Sequence, residues 1–430
     1  MNLKYLERHG EPEAKDLAVQ LKGKGPWRHF LAIPCCGEDE LLPSTLSSLK
    51  ETQRNGSLLL LLLINEGPDT KDAYKESNRR TLEYLENTFS LKTLSDDKRY
   101  FFTSTDDFDI VVINRCGEAQ FPRKKGVGLA RKICSDVGLA LYQKKLTTSP
   151  WIHNTDGDAQ VPTDYFLQTE TLNKNLDSAA LYQFQHLSGR SNDSEHWEAA
   201  TLYESWLRYY RLGLHFAKSP YGFHTVGSTI AINAKHYSIV HGFPRREAGE
   251  DFYLLNKLAK AGRVVSLGGE PITLEDRPSA RVPFGTGQGT QKIKDQTASG
   301  DVYKVYHPHC FTILKTYLAA VVQAIDSQQS FQESLKSYTG LDGIEILEGL
   351  TEETDKAIEQ ARTRAKTTEK TIKQFHDWFD AFRTLKFIHY CRDNKVGTLP
   401  IADAVVAAKF LPDMPHVLNG LRAEDRLHNS

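Results

Sequence analysis

The chain has 430 residues, of which 40% are hydrophobic and 25% charged, so it can bury one large core and a second, smaller one. Its 54 Lys and Arg residues against 55 Asp and Glu residues leave a formal net charge of -1. This balance argues against a nucleic-acid partner, which would require a strongly basic surface.

Six cysteines, two of them adjacent at Cys35 and Cys36, are too few and too irregularly spaced for a disulfide scaffold. Residues 1–16 are charged and lack the apolar core of a signal peptide. The longest apolar run, residues 58–64, is far shorter than the roughly 20 residues of a membrane-spanning helix. We therefore expect a cytoplasmic protein with reduced thiols and no transmembrane segment.

The first part of the chain alternates between strand-like and helix-like patterns. Residues 58–64 are all apolar, which predicts a strand buried on both faces, as in a parallel sheet. The other predicted elements are strands at 29–34, 110–114 and 151–154, and helices at 41–49, after Asp72 and at 128–142. This order predicts a doubly wound sheet, in which ligands bind beyond the carboxyl ends of the strands. Polar clusters lie there, at 35–40, 65–69 and 156–160.

The later elements predict a second region. Helical patterns cover 197–210 and 251–261, with a strand at 225–233, and nearly the whole chain beyond His309 has a helical pattern. Residues 277–291 are rich in Gly, Pro and Arg, which predicts a mobile loop. The predicted domains are a lead-in at 1–28, a main domain at 29–306 with halves at 29–160 and 161–306, and a helical region at 307–430.

An acidic pair follows the strand at 151–154. Asp156 and Asp158 flank Gly157, and residues i and i+2 of an extended chain share a face, so the two carboxylates could share one cation. Carboxylate oxygens suit Mg²⁺ or Mn²⁺, which complete their shells with water and substrate phosphates. The same three residues also occur as an ordinary turn between two elements.

The context of this pair resembles a known family. Residues 151–166 contain an apolar strand, the acidic pair, a proline and an aromatic residue, and this order is similar to the DxD region of GT-A glycosyltransferases, particularly family 2. Other stretches resemble the family in its own order, at 29–49, 125–131, 227–232, 242–244 and 249–258. The resemblance covers about residues 29–290 and implies an α/β fold: a GT-A (Rossmann-like) doubly wound mixed sheet, here with a C-terminal helical region.

The resemblance also implies roles for the matching side chains. It implies a nucleotide-sugar site formed by Pro34, Cys35, Glu38, Asn65, Lys125, Arg131 and Asp156. Asp158 would be the principal ligand of a divalent cation, with Asp156 and His307 as further ligands. The cation would neutralise charge on the departing nucleoside diphosphate.

The acceptor side carries a second acidic pair, Glu250 and Asp251. In inverting members of the family an aspartate at this position is the general base, with a pKa set by burial and by its acidic neighbour. The alternative is that the pair only begins a helix, where acidic side chains interact well with the helix dipole.

The glycine-rich segment is interpreted as a lid. Arg277 and Arg281 would close over a diphosphate or an anionic acceptor, or else the segment is an ordinary surface loop. The Gly-Thr-Gly-Gln-Gly sequence at 285–289 resembles a dinucleotide fingerprint but lacks the expected strand before it and helix after it, which excludes that interpretation. His224 and His241 are candidates for hydrogen bonds to a sugar.

Two positions depart from the family pattern. Residues 65–67 stand where an aspartate-rich turn is common, and Lys132 stands where asparagine usually follows the Ala-Arg pair. Base specificity therefore stays open. The Gln-x-x-Arg-Trp motif of processive synthases does not occur, which indicates a non-processive enzyme.

The predicted function is metal-dependent transfer of a hexose from a nucleoside-diphosphate sugar to a hydroxyl acceptor. One alternative is a sugar-phosphate nucleotidyltransferase, although residues 35–40 are acidic where such an enzyme needs a basic group for a triphosphate. Another alternative is a carbohydrate-binding or scaffold protein without turnover. The helical region would cap the acceptor site or form a homodimer. The donor, the acceptor and the stereochemical outcome are not encoded in a recognisable pattern.

Overall fold

A computed structural model describes residues 4–188, 193–276 and 285–429 of the chain. Its strands, in chain order, are β1 (His29–Cys35), β2 (Leu58–Asn65), β3 (Lys92–Thr93), β4 (Tyr100–Ser104), β5 (Asp109–Arg115), β6 (Trp151–Asn154), β7 (Ala159–Gln160), β8 (Asp177–Leu181), β9 (Phe184–Leu187), β10 (Ile230–Asn233), β11 (Arg263–Ser266), β12 (Ile272–Glu275), β13 (Lys304–Tyr306) and β14 (Thr398–Pro400). Its α-helices are α1 (Tyr5–His9), α2 (Pro12–Gln20), α3 (Leu42–Lys50), α4 (Asp72–Phe89), α5 (Val127–Gln143), α6 (Ser194–Phe216), α7 (Ala234–Ile239), α8 (Glu250–Ala261), α9 (Thr286–Ala298), α10 (His309–Ser327), α11 (Phe331–Leu335), α12 (Ile344–Glu348), α13 (Thr351–Arg364), α14 (Thr368–Trp378), α15 (Ala381–Cys391), α16 (Ile401–Ala407) and α17 (Val417–Leu427).

The chain divides into two compact units. The first contains residues 1–200, 225–291 and 429–430, and the second contains residues 201–224 and 292–428. Helix α6 belongs partly to each unit, because residues 201–224 pack with the helical C-terminal region. The predicted boundary at residue 306 does not group residues 201–224 with the C-terminal helices.

A nine-stranded sheet forms the centre of the first unit. Its strand order is β11-β8-β10-β6-β1-β2-β5-β4-β3. The pairs β6-β1, β1-β2 and β2-β5 are parallel, whereas β10 runs antiparallel to both of its neighbours. This is the α/β, doubly wound mixed sheet that the resemblance to GT-A enzymes implied, and the predicted helical C-terminal region is also present.

Strand β2 confirms the prediction made for residues 58–64. All eight of its residues are buried, and it pairs in parallel with β1 on one side and β5 on the other. A parallel strand inside a sheet has both faces covered, so an unbroken run of leucines is stable there without alternation. Asn65 ends the strand with its first polar side chain.

The first unit also contains a three-stranded sheet with the order β7-β12-β9, in which β7 is the strand that follows β6 in the chain. Strand β7 begins at Ala159, directly after the Asp-Gly-Asp turn, and pairs antiparallel with β12. The turn therefore connects a strand of the large sheet with a strand of the small one.

The predicted lead-in is a folded part of the first unit. The carboxylate of Asp136 on α5 accepts hydrogen bonds from the Tyr5 and Tyr237 hydroxyls, at 2.8 and 2.9 Å, and from the Glu11 backbone amide at 2.9 Å. Lys132, one turn earlier on α5, donates to the same carboxylate at 2.8 Å. This buried network attaches α1 and α2 to α5.

The second unit has its own apolar core. The ring of Tyr317 on α10 lies within 6.3 Å of the rings of Phe331, Phe375, Phe379 and Phe387. Phe375, Phe379 and Phe387 are thus core residues of this unit. Among the described residues, no helix has both the length and the apolar character needed to cross a membrane.

The prediction of a loop at 277–291 is wrong from Thr286 onward. Residues 277–284, which include Arg277 and Arg281, lie outside the described residues, but helix α9 begins at Thr286. The expectation that no helix accompanies the Gly-Thr-Gly-Gln-Gly sequence is wrong for the same reason. Each glycine in a helix costs about 1 kcal/mol relative to alanine. Thr290 and Ile293 are buried on one face of α9, and this burial offsets that cost.

Candidate active site

Polar groups tie together the carboxyl ends of the central parallel strands. Strand β1 ends at Cys35 and its neighbour β2 ends at Asn65. The Asn65 side-chain amide donates a 2.9 Å hydrogen bond to the Cys35 carbonyl oxygen. Asn65, predicted to contact the nucleotide, therefore also fixes the spacing of the two strand ends on which that nucleotide would lie.

Asn78 on α4 completes this connection, and sequence reasoning missed it. Its side chain accepts a 2.9 Å hydrogen bond from the Gly37 backbone amide and donates a 2.9 Å bond to the Asn65 carbonyl oxygen. One signal was present in the sequence: Ser77, Asn78 and Thr81 occupy the buried face of α4, where apolar side chains are usual.

The Asp-Gly-Asp turn points its glycine inward and leaves its carboxylates partly exposed. A Cβ atom at Gly157 would lie 3.1 Å from Cβ of Glu38 and 3.3 Å from Sγ of Cys35. Glycine therefore allows the turn to pack closely against the end of β1. The Thr45 hydroxyl of α3 holds the turn by donating to the Gly157 carbonyl oxygen at 2.9 Å.

The environment of Cys35 shows that the acidic groups gather at this point. Burial raises the pKa of the Cys35 thiol, and the charges of Glu38, Asp156 and Asp158 raise it further. The thiol is therefore neutral at physiological pH and acts as a small apolar wall. Three of the predicted site carboxylates surround it.

The donor set of the turn fits a hard divalent cation. Asp156 and Asp158 offer two partly exposed carboxylates two residues apart, and carboxylate oxygens are the ligands that Mg²⁺ and Mn²⁺ prefer. Among the described residues, no group of three or more His, Cys, Asp or Glu side chains converges to hold an ion. An ion here would take its other ligands from substrate and water.

His307, predicted as a further ligand, belongs to the second unit. Its Nδ1 accepts a 3.1 Å hydrogen bond from the His309 backbone amide. Its role in metal binding stays a prediction.

A buried arginine joins the turn to the start of α8. Arg131, only 3% exposed, places Nη2 at 2.7 Å from Oδ1 of Asp156 and Nε at 3.0 Å from Oε1 of Glu250. Burial lowers the pKa of Arg131, but the charges of Asp156, Glu250 and Asp251 outweigh burial and raise it. The guanidinium is therefore a permanent cation among carboxylates.

Asp251 lies at the start of α8, beside this ion pair. Gly249 precedes the helix with a φ of 71°, a left-handed conformation that glycine adopts without strain. Burial, and then the charge of Glu250, raise the pKa of Asp251 to about 7. A carboxylate with such a pKa accepts a proton effectively at neutral pH. The pair begins a helix, and Asp251 also has a pKa suited to a base, so the two interpretations are compatible.

The remaining predicted residues have different surroundings. Pro34 is buried inside β1, opposite Leu63 of β2, and Lys125 donates from Nζ to the Arg245 carbonyl oxygen at 3.3 Å. His241 stacks on His9 with ring centroids 4.9 Å apart.

His224 belongs to the second unit. Its Nε2 lies 2.9 Å from Oδ2 of the buried Asp425. The structure therefore gathers Cys35, Glu38, Asn65, Arg131, Asp156, Asp158, Glu250 and Asp251 in the first unit.

No protein-family model and no curated protein sequence matches this chain. Among solved structures, it is similar to S. aureus TarS 1-349 in complex with UDP-GlcNAc, at 10% identity over 66% of this chain and 70% of that one, with a TM-score of 0.36. It is also similar to the mannosyltransferase PcManGT from Pyrobaculum calidifontis in complex with GDP-Man and Mn²⁺, at 16% identity over 88% and 94%, with a TM-score of 0.36. A third is glucosyl-3-phosphoglycerate synthase from Mycobacterium tuberculosis, at 12% identity over 68% and 88%, with a TM-score of 0.33. At these TM-scores they are similarities only, and the fold class rests on the strand order and register.

Proposed function

We propose that this chain is a metal-dependent, non-processive GT-A glycosyltransferase that moves a sugar from a nucleoside-diphosphate sugar to a hydroxyl acceptor. The observation that supports this most is the ion-pair chain from Asp156 through Arg131 to Glu250, next to Asp251. It combines a carboxylate pair suited to a cation-bound diphosphate with a carboxylate suited to removing a proton.

The donor would lie across the strand ends. Cys35, Glu38 and Asn65 form the wall nearest β1 and β2, which is where open α/β sheets bind nucleotides. Asp156 and Asp158 would hold the cation, which neutralises negative charge on the leaving diphosphate. The acceptor would approach from the side of α8.

Asp251 would act as the general base in this scheme. Its carboxylate takes the proton of the acceptor hydroxyl while that oxygen forms a bond to the anomeric carbon of the sugar. The bond between the anomeric carbon and the diphosphate oxygen breaks, and its electron pair leaves with the nucleoside diphosphate. A single displacement of this kind inverts the configuration at the anomeric carbon.

Calorimetry of nucleotide binding tests the proposal directly. UDP, GDP and their sugars are titrated into the protein with and without Mn²⁺, and the titrations are repeated with Asp158→Asn. A matched control is Asp72→Asn, because the Asp72 side chain is fully exposed on α4 and pairs with Lys75. We expect Mn²⁺-dependent binding of one nucleotide, retained in the control and lost in Asp158→Asn.

Hydrolysis of the bound nucleotide sugar, measured by release of the nucleoside diphosphate, then tests whether the protein catalyses transfer with water as acceptor. If no nucleotide binds under any condition, the transferase proposal is refuted. Binding without any turnover across a panel of acceptors would favour the non-catalytic carbohydrate-binding alternative.

A further inference from the structure

We propose that Arg131 is a positioning residue that sets the donor-side carboxylate Asp156 and the acceptor-side carboxylate Glu250 in one fixed arrangement. The inference rests on the proposed function and deepens it. The resemblance to known enzymes implied that Arg131 contacts the nucleotide sugar, whereas the contacts seen here assign it to the protein's own carboxylates.

The planar shape of the guanidinium group sets the directions of its two contacts. Nη2 and Nε point to carboxylates from two different parts of the chain, at 2.7 and 3.0 Å. A planar guanidinium directs these N–H groups at a fixed angle, which the ammonium group of lysine cannot reproduce. The position of Asp156 is thereby coupled to the position of Glu250, and so to the first turn of α8.

Charge gives the arrangement its stability. Arg131 and Glu250 have side chains that are 3% and 5% exposed, so neither is screened well by water. Without the guanidinium, Asp156 and Glu250 would lose the positive charge that contacts both of them, beside the further carboxylate of Asp251. Repulsion would then separate the two sides of the site.

A glycine makes room for this arginine. A Cβ atom at Gly227 would lie 2.7 Å from Nη2 of Arg131, closer than real Cβ contacts allow. The same arginine leaves Nη1 buried and without a hydrogen-bond partner among the described residues.

Steady-state kinetics of nucleotide-sugar hydrolysis and Mn²⁺-dependent binding of UDP and GDP provide the first test. The variants are Arg131→Lys, which keeps the charge but changes the shape, and Gly227→Ala, which keeps Arg131 but displaces it. We expect Arg131→Lys to lower kcat by roughly 100-fold, as for small misplacements of reacting groups. The donor KM should rise as well, and Gly227→Ala should show the same two changes to a smaller degree.

Arg263→Lys is the matched control. Arg263 also pairs with a buried carboxylate, that of Asp177, at 2.7 Å, but it lies on β11 at the edge of the sheet. Its replacement should leave KM and kcat unchanged. If Arg131 were purely structural, its replacement would lower only the fraction of active protein. The measured kcat would then fall while KM stayed unchanged, and that result would overturn the inference.

A stability measurement tests the same contact without relying on turnover. The free energies of unfolding of Arg131→Met, Glu250→Gln and the double variant form a thermodynamic cycle. We expect the double variant to be less destabilised than the sum of the single ones, because the neutral amide introduced by Glu250→Gln no longer leaves a charge unpaired. Additive effects would overturn the inference. Wild-type protein that binds no nucleotide would instead refute the proposed function, and the cycle would still decide whether Arg131 and Glu250 are coupled.

Discussion

At the scale of single residues, the environment of Asp251 differs strongly from that of an ordinary surface carboxylate. Burial and the adjacent Glu250 raise its pKa to about 7. A protonated carboxyl cannot accept a proton, so the rate of transfer should fall as the pH drops through this value. The negative charge of Glu250 contributes to this raised pKa, so it should also raise the pH at which the rate falls.

We expect the pH-rate profile of the wild-type protein to have an acidic limb with its midpoint near pH 7. Glu250→Gln removes the neighbouring negative charge and should move that midpoint to lower pH. Asp251→Asn should lower kcat by about 10²–10⁴-fold, the usual contribution of a general base, with little change in donor KM. A limb that stays in place in Glu250→Gln would contradict this assignment.

The same shift predicts a stability effect with a defined sign. The pKa of Asp251 is higher in the folded state than in the unfolded state, so the folded protein holds a proton that the unfolded chain releases between about pH 4 and pH 7. Ionised Asp251 therefore destabilises the fold at pH 8 but not at pH 4. Asp251→Asn should raise the melting temperature more at pH 8 than at pH 4. Calorimetric melting at both pH values measures the difference.

The residues of the site differ in how well the sequence predicts them. Asp156, Asp158 and Asp251 belong to short motifs, so their chemistry and spacing are visible within a few positions. Asn78 is not visible in this way, and neither is the contact of Gly227 with Arg131, because both depend on atoms far away in the chain. A polar residue on the buried face of a helix was the one local signal for Asn78.

At the scale of elements, the start of α5 depends on a close approach of two backbones. A Cβ atom at Gly128 would lie 2.5 Å from the Arg246 carbonyl oxygen and 2.7 Å from that of Pro244. The Gly128 amide also donates to the Arg246 carbonyl oxygen at 3.2 Å. This contact seats the segment before α8 against the helix that carries Arg131.

Gly128→Ala should therefore destabilise the protein by roughly 1–3 kcal/mol, the usual cost of forcing extra atoms into a packed site. Urea denaturation measures it. Gly268→Ala is the control, because a Cβ atom there meets no atom within 4 Å. Equal stability of the two variants would show that the backbone at residues 244–246 shifts at little cost to accommodate the added methyl group.

The attachment of α1 and α2 depends on one buried carboxylate. Asp136 is fully buried and balances the charge of Lys132 at 2.8 Å. Asp136→Asn removes the nearest counter-charge of that ammonium group and should cost about 3 kcal/mol. Hydrogen exchange should show faster opening of residues 5–20, whereas the exposed Asp72→Asn should be neutral. Unchanged exchange in this segment would show that apolar burial of Leu17 and Leu21 alone holds it.

At the scale of the whole molecule, the second unit brings a C-terminal helix back to α6. Asp425 on α17 is fully buried and forms ion pairs with Arg208 and Arg211 of α6. Burial raises its pKa, but the charges of His224, Arg211 and Arg208 outweigh burial and lower it. The lowered pKa means that this carboxylate stabilises the fold above about pH 4, and that the stabilisation is lost as the pH falls further.

Asp425→Asn should therefore destabilise the second unit at pH 7 by about 3 kcal/mol, because two buried guanidinium groups lose a charged partner. The difference from wild type should shrink as the pH falls toward the lowered pKa. Guanidinium denaturation at pH 7 and at acidic pH measures this, with the exposed Asp403→Asn as control. A difference that does not depend on pH would contradict the assignment.

Local patterns were sufficient for most of the main elements. The leucine run at 58–64 has the length and the flanking turn residues of a buried strand, and the helix at 128–142 and the apolar helix after His309 have helical periodicity. The order of these elements was enough to predict a doubly wound sheet, because parallel strands require helical crossovers. The strand order itself, with β10 antiparallel between β6 and β8, follows from no local pattern.

By itself, the sequence determined the fold class, since the order of strand and helix patterns is enough to predict a doubly wound sheet. The carboxylates of the site and the place where a ligand would bind stay predictions, drawn from motifs of a few residues. The tertiary structure decided that Arg131 contacts Glu250, 119 positions away, and that residues 201–224 join the C-terminal helices. It also decided that the glycine-rich segment from Thr286 is helical. These features depend on burial and charge supplied by distant parts of the chain, and a local pattern carries no information about such partners.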